Sequence, residues 1–129
     1  MKNSIKDIIT FLEPEFIHGD DRGKLRQLVS DGWKQVNFID SEANSFRGGH
    51  YHKNNREMFF IISGTFNLTL TLGNQEKTFL IEPEDLFIIE KNVSHSFNFL
   101  EKTLLISLYD KGVEEKSDNK TQMDIYQNA

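Results

Sequence analysis

Cysteine is missing from all 129 residues. Its absence excludes disulfides, thiolate zinc sites, a cysteine nucleophile and iron–sulfur clusters, and it fits a reducing compartment. Proline is nearly as scarce, with two in the chain. No apolar run approaches the roughly 18 residues a membrane span needs. The opening "MKNSIKDIITFLEPEF" also lacks the apolar core of a signal peptide. The expectation is a soluble, cytoplasmic protein with no membrane partner. Lys and Arg form no cluster and the formal charge is −5, which argues against a nucleic-acid surface. A small molecule is the partner to look for.

What is present points to strands. Eleven phenylalanines, many β-branched residues and few prolines favour sheet. One short amphipathic helix is expected over about 4–12, where Ile5, Ile8, Ile9 and Leu12 recur at helical spacing. Pro14, Gly19 and Gly23 end it. "KLRQLVS" and "WKQVNFID", separated by Asp31–Gly32, read as a hairpin. "TFNLTLTL" alternates, with Phe66, Leu68, Leu70 and Leu72 on one face. Gly73–Asn74, "EPED" and "KNVS" punctuate the rest into eight or nine short strands without an internal repeat, the pattern of an antiparallel sandwich or barrel. The barrel is expected over 1–110, with a polar tail over 111–129 that is mobile or pinned to a partner by Met123, Ile125 and Tyr126.

One stretch asks for a chemical explanation. In "HYHKNNREMFFIISG" (50–64), His50 and His52 lie two apart, so on a strand both rings share a face and Tyr51 points the other way. If "KNNR" is a four-residue hairpin loop, His52 and Glu57 sit opposite each other with Cβ atoms about 5 Å apart. Phe59 and Ile61 continue that face as an apolar floor. A carboxylate in such surroundings loses its charge or finds a cation. His95, two residues into the strand "SHSFNF", supplies a third imidazole. Three imidazoles and one carboxylate suit a divalent ion such as Zn, Fe, Mn or Ni, with one or two positions left open.

The spacing His50-x-His52, four residues, Glu57, six residues, Gly64 resembles the first motif of the cupin superfamily, and His95 stands where the second motif places its histidine. The resemblance implies a single all-β jelly-roll barrel (double-stranded β-helix) with a metal held inside by His50, His52, Glu57 and His95. The second motif departs from the family pattern: Glu90 and Asn92 stand where it usually has a proline and a glycine. Asn92 can take up the left-handed conformation, so the turn is expected to survive.

"DDRGKL" (20–25) followed by "RGGHYH" (47–52) resembles a narrower group, the cupins acting on nucleotide-linked keto-sugars. These include TDP-sugar 3,4-ketoisomerases, dTDP-4-dehydrorhamnose 3,5-epimerases and the cupin domain of capsule-sugar epimerases. The resemblance implies an isomerase or epimerase of polysaccharide biosynthesis. Its substrate would be a dTDP- or UDP-linked 4-keto sugar, with Arg22 and Arg47 meeting the diphosphate. Such chemistry starts by removing a proton α to the ketone, and His50 or His52 would be the base. A metal would instead stabilise the enolate, and one ring nitrogen cannot do both. The alternatives are a metal-dependent dioxygenase of a small molecule and a cupin that binds a ligand without turnover. A homodimer is expected, because an open jelly-roll edge invites a second copy. His18 reads as a surface residue, and Phe59, Phe60, Phe66, Phe79, Phe87, Phe97 and Phe99 read mainly as core.

Overall fold

The computed structural model describes residues 2–117 and 120–127. Along the chain run β1 (Ile9–Leu12), β2 (Phe16–Asp20), β3 (Gly23–Gln27), β4 (Gln35–Ser41), β5 (Phe46–Tyr51), β6 (Glu57–Ser63) and β7 (Phe66–Leu72). β8 (Gln75–Ile81), β9 (Leu86–Ile89), β10 (Ser94–Phe99), β11 (Thr103–Tyr109), β12 (Glu114–Ser117), β13 (Lys120–Met123) and β14 (Tyr126–Gln127) follow. Two five-stranded antiparallel sheets, β1-β9-β6-β11-β4 and β14-β5-β10-β7-β8, make an all-β sandwich consistent with a jelly roll.

The core lies between the sheets. From the first come Ile9, Phe59, Ile61, Phe87, Ile89 and Leu105; from the second come Phe66, Leu68, Leu70, Phe97 and Phe99. Each such side chain stabilises by about 1.5–3 kcal/mol when fully buried. The alternation in β7 is realised, with Phe66, Leu68 and Leu70 fully buried. The T-shaped contact of Phe59 with Phe97, at 5.3 Å between centroids, bridges the two sheets. A second cluster covers the outer face of the first sheet, where Leu28, Val29 and Trp33 pack on Met58, Phe60, Leu86, Ile88 and Leu108. β6 and β9 are therefore buried on both faces, which explains their unbroken apolar runs.

Three expectations need correction. No helix forms among the described residues. Asp7 takes φ 66°, and Ile9–Leu12 pairs antiparallel with β9. Ile9 and Phe11 are buried and alternate with Thr10 and Leu12. The edge of β9 offered a complete ladder, and β-branched Ile8, Ile9 and Thr10 suit it better than a short isolated helix.

Asp31–Gly32 turns the chain, with Gly32 at φ 86°, but makes no hairpin. The flanking apolar residues are drawn onto the outer face of the sheet. β3 instead pairs back on β2, and β4 pairs with β11.

The third correction is residues 53–56, which are no hairpin loop, since β5 and β6 belong to different sheets. Their polar groups are committed elsewhere. Lys53 and Asn54 give their N–H groups to Asp124, the Asn55 side chain accepts from Lys111 and Gly112, and the Arg56 N–H meets Asp110. The stretch crosses from one sheet to the other.

A boundary at 110 does not part the described C-terminal residues from the barrel. Val113 and Asp124 are buried, and β14 extends the second sheet at β5. No helix among the described residues is long and apolar enough to cross a membrane.

Candidate active site

Close approach of β5 to β10 builds the site. His50 and His95 are direct ladder partners, with an irregularity just past His95. Gly48 makes the approach possible. Its φ is 106°, and a Cβ there would run into the His95 carbonyl and the Ser96 backbone. Only glycine meets both demands. The rings of His50 and His95 lie 4.6 Å apart, those of His50 and His52 5.2 Å, and those of His52 and His95 5.1 Å.

His52 leaves the end of β5 and is held at three points. Its carbonyl accepts from Asn92 N–H at 2.7 Å, and Asn92 has the left-handed φ of 69° expected for that turn. Its Nδ1 lies 2.6 Å from the Asp124 carbonyl, and its Nε2 lies 3.2 Å from Glu57 Oε1. His95 follows the same pattern, with Nδ1 3.1 Å from the Val93 carbonyl and Nε2 3.6 Å from Glu57 Oε1. A carbonyl can only accept, so both rings carry hydrogen at Nδ1 and turn Nε2 inward.

Glu57 comes from the opposite sheet, where it pairs with Ile89 and Tyr109. Its other oxygen accepts from Ser107 Oγ at 2.9 Å, and the Tyr109 phenol stands near enough to feel its charge. Ser107 and Tyr109 were not foreseen as site residues. Their signal is a serine and a tyrosine on the inward face of an otherwise apolar strand. Among the described residues no buried side-chain N or O lacks a partner.

The imidazoles differ in protonation. Burial lowers the pKa of His50, and the charge of His52 adds to the effect. Burial takes His95 down to about 4. For His52, burial also works downward, but the hydrogen bond and charge of Glu57 outweigh it and leave the pKa raised. Burial pushes the Tyr109 phenol well above its ordinary value, and the Glu57 charge adds to this. At neutral pH, His50 and His95 are thus neutral bases and Tyr109 is a protonated donor.

A cavity of about 390 Å³ opens onto this group. His50, Glu57, His95 and Tyr109 reach it, Ile39, Phe59 and Phe97 wall it, and the exposed Phe46 and Arg47 stand at its mouth. Phe59 supplies the expected apolar floor. His52 is buried and forms no part of the wall; it acts on the cavity through Glu57.

Arg47 donates through Nε to Ser41 Oγ at 2.7 Å and through Nη2 to the Asp40 carbonyl at 3.1 Å. Arg22 lies elsewhere, at the turn of the β2–β3 hairpin. Its side chain is 84% exposed and is paired with Asp20 at 2.6 Å. Tyr51 stacks on Tyr126 at 5.6 Å and does not line the cavity. His18 is on the surface.

The three imidazoles form a group able to hold a divalent ion. His50, His52 and His95 each present a ring nitrogen within 4.8 Å of the others, and Glu57 touches two of them. Two ligands about 2.1 Å from one ion stand about 3–3.5 Å apart; Glu57 Oε1 lies 3.2 Å from His52 Nε2 and 3.6 Å from His95 Nε2. The Nδ1–H groups of His52 and His95 rest on carbonyls, as the far nitrogens of metal-ligating imidazoles do.

Residues 18–121 match the family model for the polysaccharide biosynthesis C-terminal domain. The chain belongs to that family. No curated protein matches the sequence. Among solved structures, this family member is similar to the TDP-quinovose 3,4-ketoisomerase of Campylobacter jejuni. The two are 22% identical, over 96% of this chain and 95% of that one, with a TM-score of 0.77. A sugar 3,4-ketoisomerase from Thermoanaerobacterium thermosaccharolyticum, solved in complex with TDP, is 20% identical over 96% of this chain and 90% of its own, with a TM-score of 0.75. The dTDP-4-dehydrorhamnose 3,5-epimerase of Bacillus anthracis, solved with TDP and PPi, is 20% identical over 89% of this chain and 77% of its own, at 0.65. These likenesses establish the fold of the polysaccharide biosynthesis domain.

Proposed function

We propose that the protein is an isomerase or epimerase of a nucleotide-linked 4-keto sugar, serving polysaccharide synthesis. The observation that carries this is the cavity itself: a neutral, half-buried imidazole and a phenol hydroxyl face a space whose mouth carries a guanidinium. The family match and the ketoisomerases of the same fold support the substrate class.

His50 is the base, because it reaches the cavity and burial keeps it uncharged. It takes the proton from the carbon beside the ketone. The C–H electron pair becomes the new double bond and the carbonyl pair moves onto oxygen. The Tyr109 O–H, on the cavity wall, is the donor to the enolate oxygen. Isomerisation returns the proton to the former carbonyl carbon, while the hydroxyl proton of the neighbouring carbon passes to the enolate oxygen, so that the neighbouring carbon becomes the ketone. Return to the opposite face of the carbon it came from epimerises that carbon. His52 positions Glu57 rather than touching substrate. A divalent ion on His50, His52, His95 and Glu57 would supply Lewis-acid stabilisation of the enolate, and the base would then lie elsewhere.

Arg47 is the diphosphate contact within one copy. A homodimer is proposed for the hairpin face. Phe16, Ile17 and Leu25 are exposed on β2 and β3, and so are Val36 and Phe38 on the edge strand β4. A two-stranded hairpin with bare apolar groups is marginal alone. Docked on a second copy, it would carry Arg22 to that copy's substrate.

The test uses TDP-4-keto-6-deoxyglucose in D2O, followed by proton NMR, beside melting curves with dTDP and UDP and a metal assay of the purified protein. Entry of solvent deuterium next to the ketone, lost in His50→Gln, is expected. If no deuterium enters and neither nucleotide raises the melting temperature, the sugar reading is wrong. Sedimentation of wild type and Phe38→Asp checks the dimer.

A further inference from the structure

The segment 123–127 lies across the end of β5, and it holds a carboxylate with no exposed surface, Asp124. Three donors converge on that carboxylate: the Lys53 N–H at 2.9 Å, the Asn54 N–H at 2.9 Å and Asn55 Nδ2 at 2.8 Å. Its own N–H is fixed to the Val113 carbonyl at 2.7 Å. Burial works to raise the Asp124 pKa, but the Asn55 amide and the two main-chain N–H groups outweigh it and hold the group ionised. Beside it, Tyr126 pairs with Tyr51 and Gln127 with His50. The Lys53 ammonium sits 4.2 Å from the centre of the Tyr126 ring.

The outcome of this clasp is a main-chain carbonyl aimed at an imidazole. His95 gets its orienting acceptor from Val93, two residues away, as part of its own turn. His52 gets its acceptor from a residue 72 positions along the chain. Its one nearby partner, Glu57, meets the other ring nitrogen. Without the clasp Nδ1 loses its acceptor, and Nε2 is no longer the nitrogen that has to face Glu57.

We propose that Asp124 is a positioning residue: by clamping 123–127 over 52–55, it sets its own carbonyl against His52 Nδ1 and turns Nε2 toward Glu57 and the cavity. The effect on turnover rests on the sugar-isomerase reading, whereas the orientation of the ring does not.

The experiment compares wild type with Asp124→Ala in the full chain labelled with ring-15N histidine. In wild type, Nδ1–H correlations are expected from both His52 and His95. Asp124→Ala is expected to abolish the His52 correlation and leave that of His95, whose anchor is local. A structural role alone would disturb both signals together or neither, and either result overturns the proposal.

With TDP-4-keto-6-deoxyglucose, kcat is expected to fall roughly 10- to 100-fold while KM stays within about twofold, as for a misplaced catalytic geometry. An unchanged kcat with the His52 signal lost overturns the proposal as well. Asp124→Asn keeps the shape and one accepting oxygen. Should Asp124→Ala not fold, Asp124→Asn is expected to change the same signal, and an unaltered His52 correlation there counts against the clasp. If wild type leaves the sugar untouched, the proposed substrate fails, and the NMR comparison still decides the role of Asp124.

Discussion

Two stretches of this chain carry the same kinds of side chain and meet opposite fates. In 18–23, His18 and Arg22 flank Asp20 on a hairpin whose residues are almost all exposed. In 47–52, Arg47, His50 and His52 run from a cavity mouth into the barrel. The hairpin histidine finds a carboxylate in water at 3.5 Å. The barrel histidines find one between two sheets, and burial there moves their affinity for protons. Residue type is shared by the two regions, and reactivity follows from the packing around them.

The largest way to break the contrast is to push the strands of the buried region apart. Gly48→Val adds a side chain where the His95 carbonyl sits and forces it into a positive φ. Overpacking and backbone strain together are expected to cost about 4 kcal/mol. Urea denaturation measures the loss, and deuterium entry into the sugar should cease.

Next comes acid. His95 stays neutral in the folded protein down to about 4, whereas in the unfolded chain it takes a proton near 6.5. Between those values the unfolded state binds more protons, so stability rises with pH. Acidifying from 6.5 to 4 is expected to remove about 3 kcal/mol through this residue. His52 works in the other direction: its raised pKa gives stability that is full below about 6.5 and lost as pH climbs through the folded value. Urea midpoints across this pH range should slope less in His95→Gln than in wild type.

Smaller still is Arg47→Ala, expected to weaken dTDP by about 2 kcal/mol, roughly 30-fold, through a lost charge-assisted contact. Titration calorimetry reads it. Smallest is Arg22→Ala, which is expected to leave the melting temperature of unliganded protein unchanged and to reduce the dTDP-induced shift less than Arg47→Ala. A larger effect at Arg22 than at Arg47 would reverse the contrast between the two regions.

The barrel and its histidines were legible because their signals are local. The period-2 pattern of β7 lies in eight residues, and His50, His52 and Glu57 lie within eight more. Asn92 announced its turn by being one of the few non-glycine residues at ease with positive φ. The misread parts were decided by distant partners. Ile5, Ile8, Ile9 and Leu12 satisfy a helix until β9 presents its edge. Asp31–Gly32 satisfies a hairpin until Trp33 and Val29 find the outer face of the sheet. Tyr109, Ser107 and Asp124 escaped notice because each meets the site from at least 50 residues away. A lone aspartate between Met123 and Ile125 was the one hint that the last segment turns inward.

The Phe59–Phe97 contact has a bearing on how a site of this kind can drift. His50 and His95 ride on one wall of the sandwich and Glu57 and Tyr109 on the other, so the aromatic layer between the walls acts as a shim that sets the gap between them. Phe66 packs behind Phe97 at 5.2 Å between ring centres without lining the cavity. Trimming that ring offers a route to a reshaped site in which no residue lining the cavity has changed.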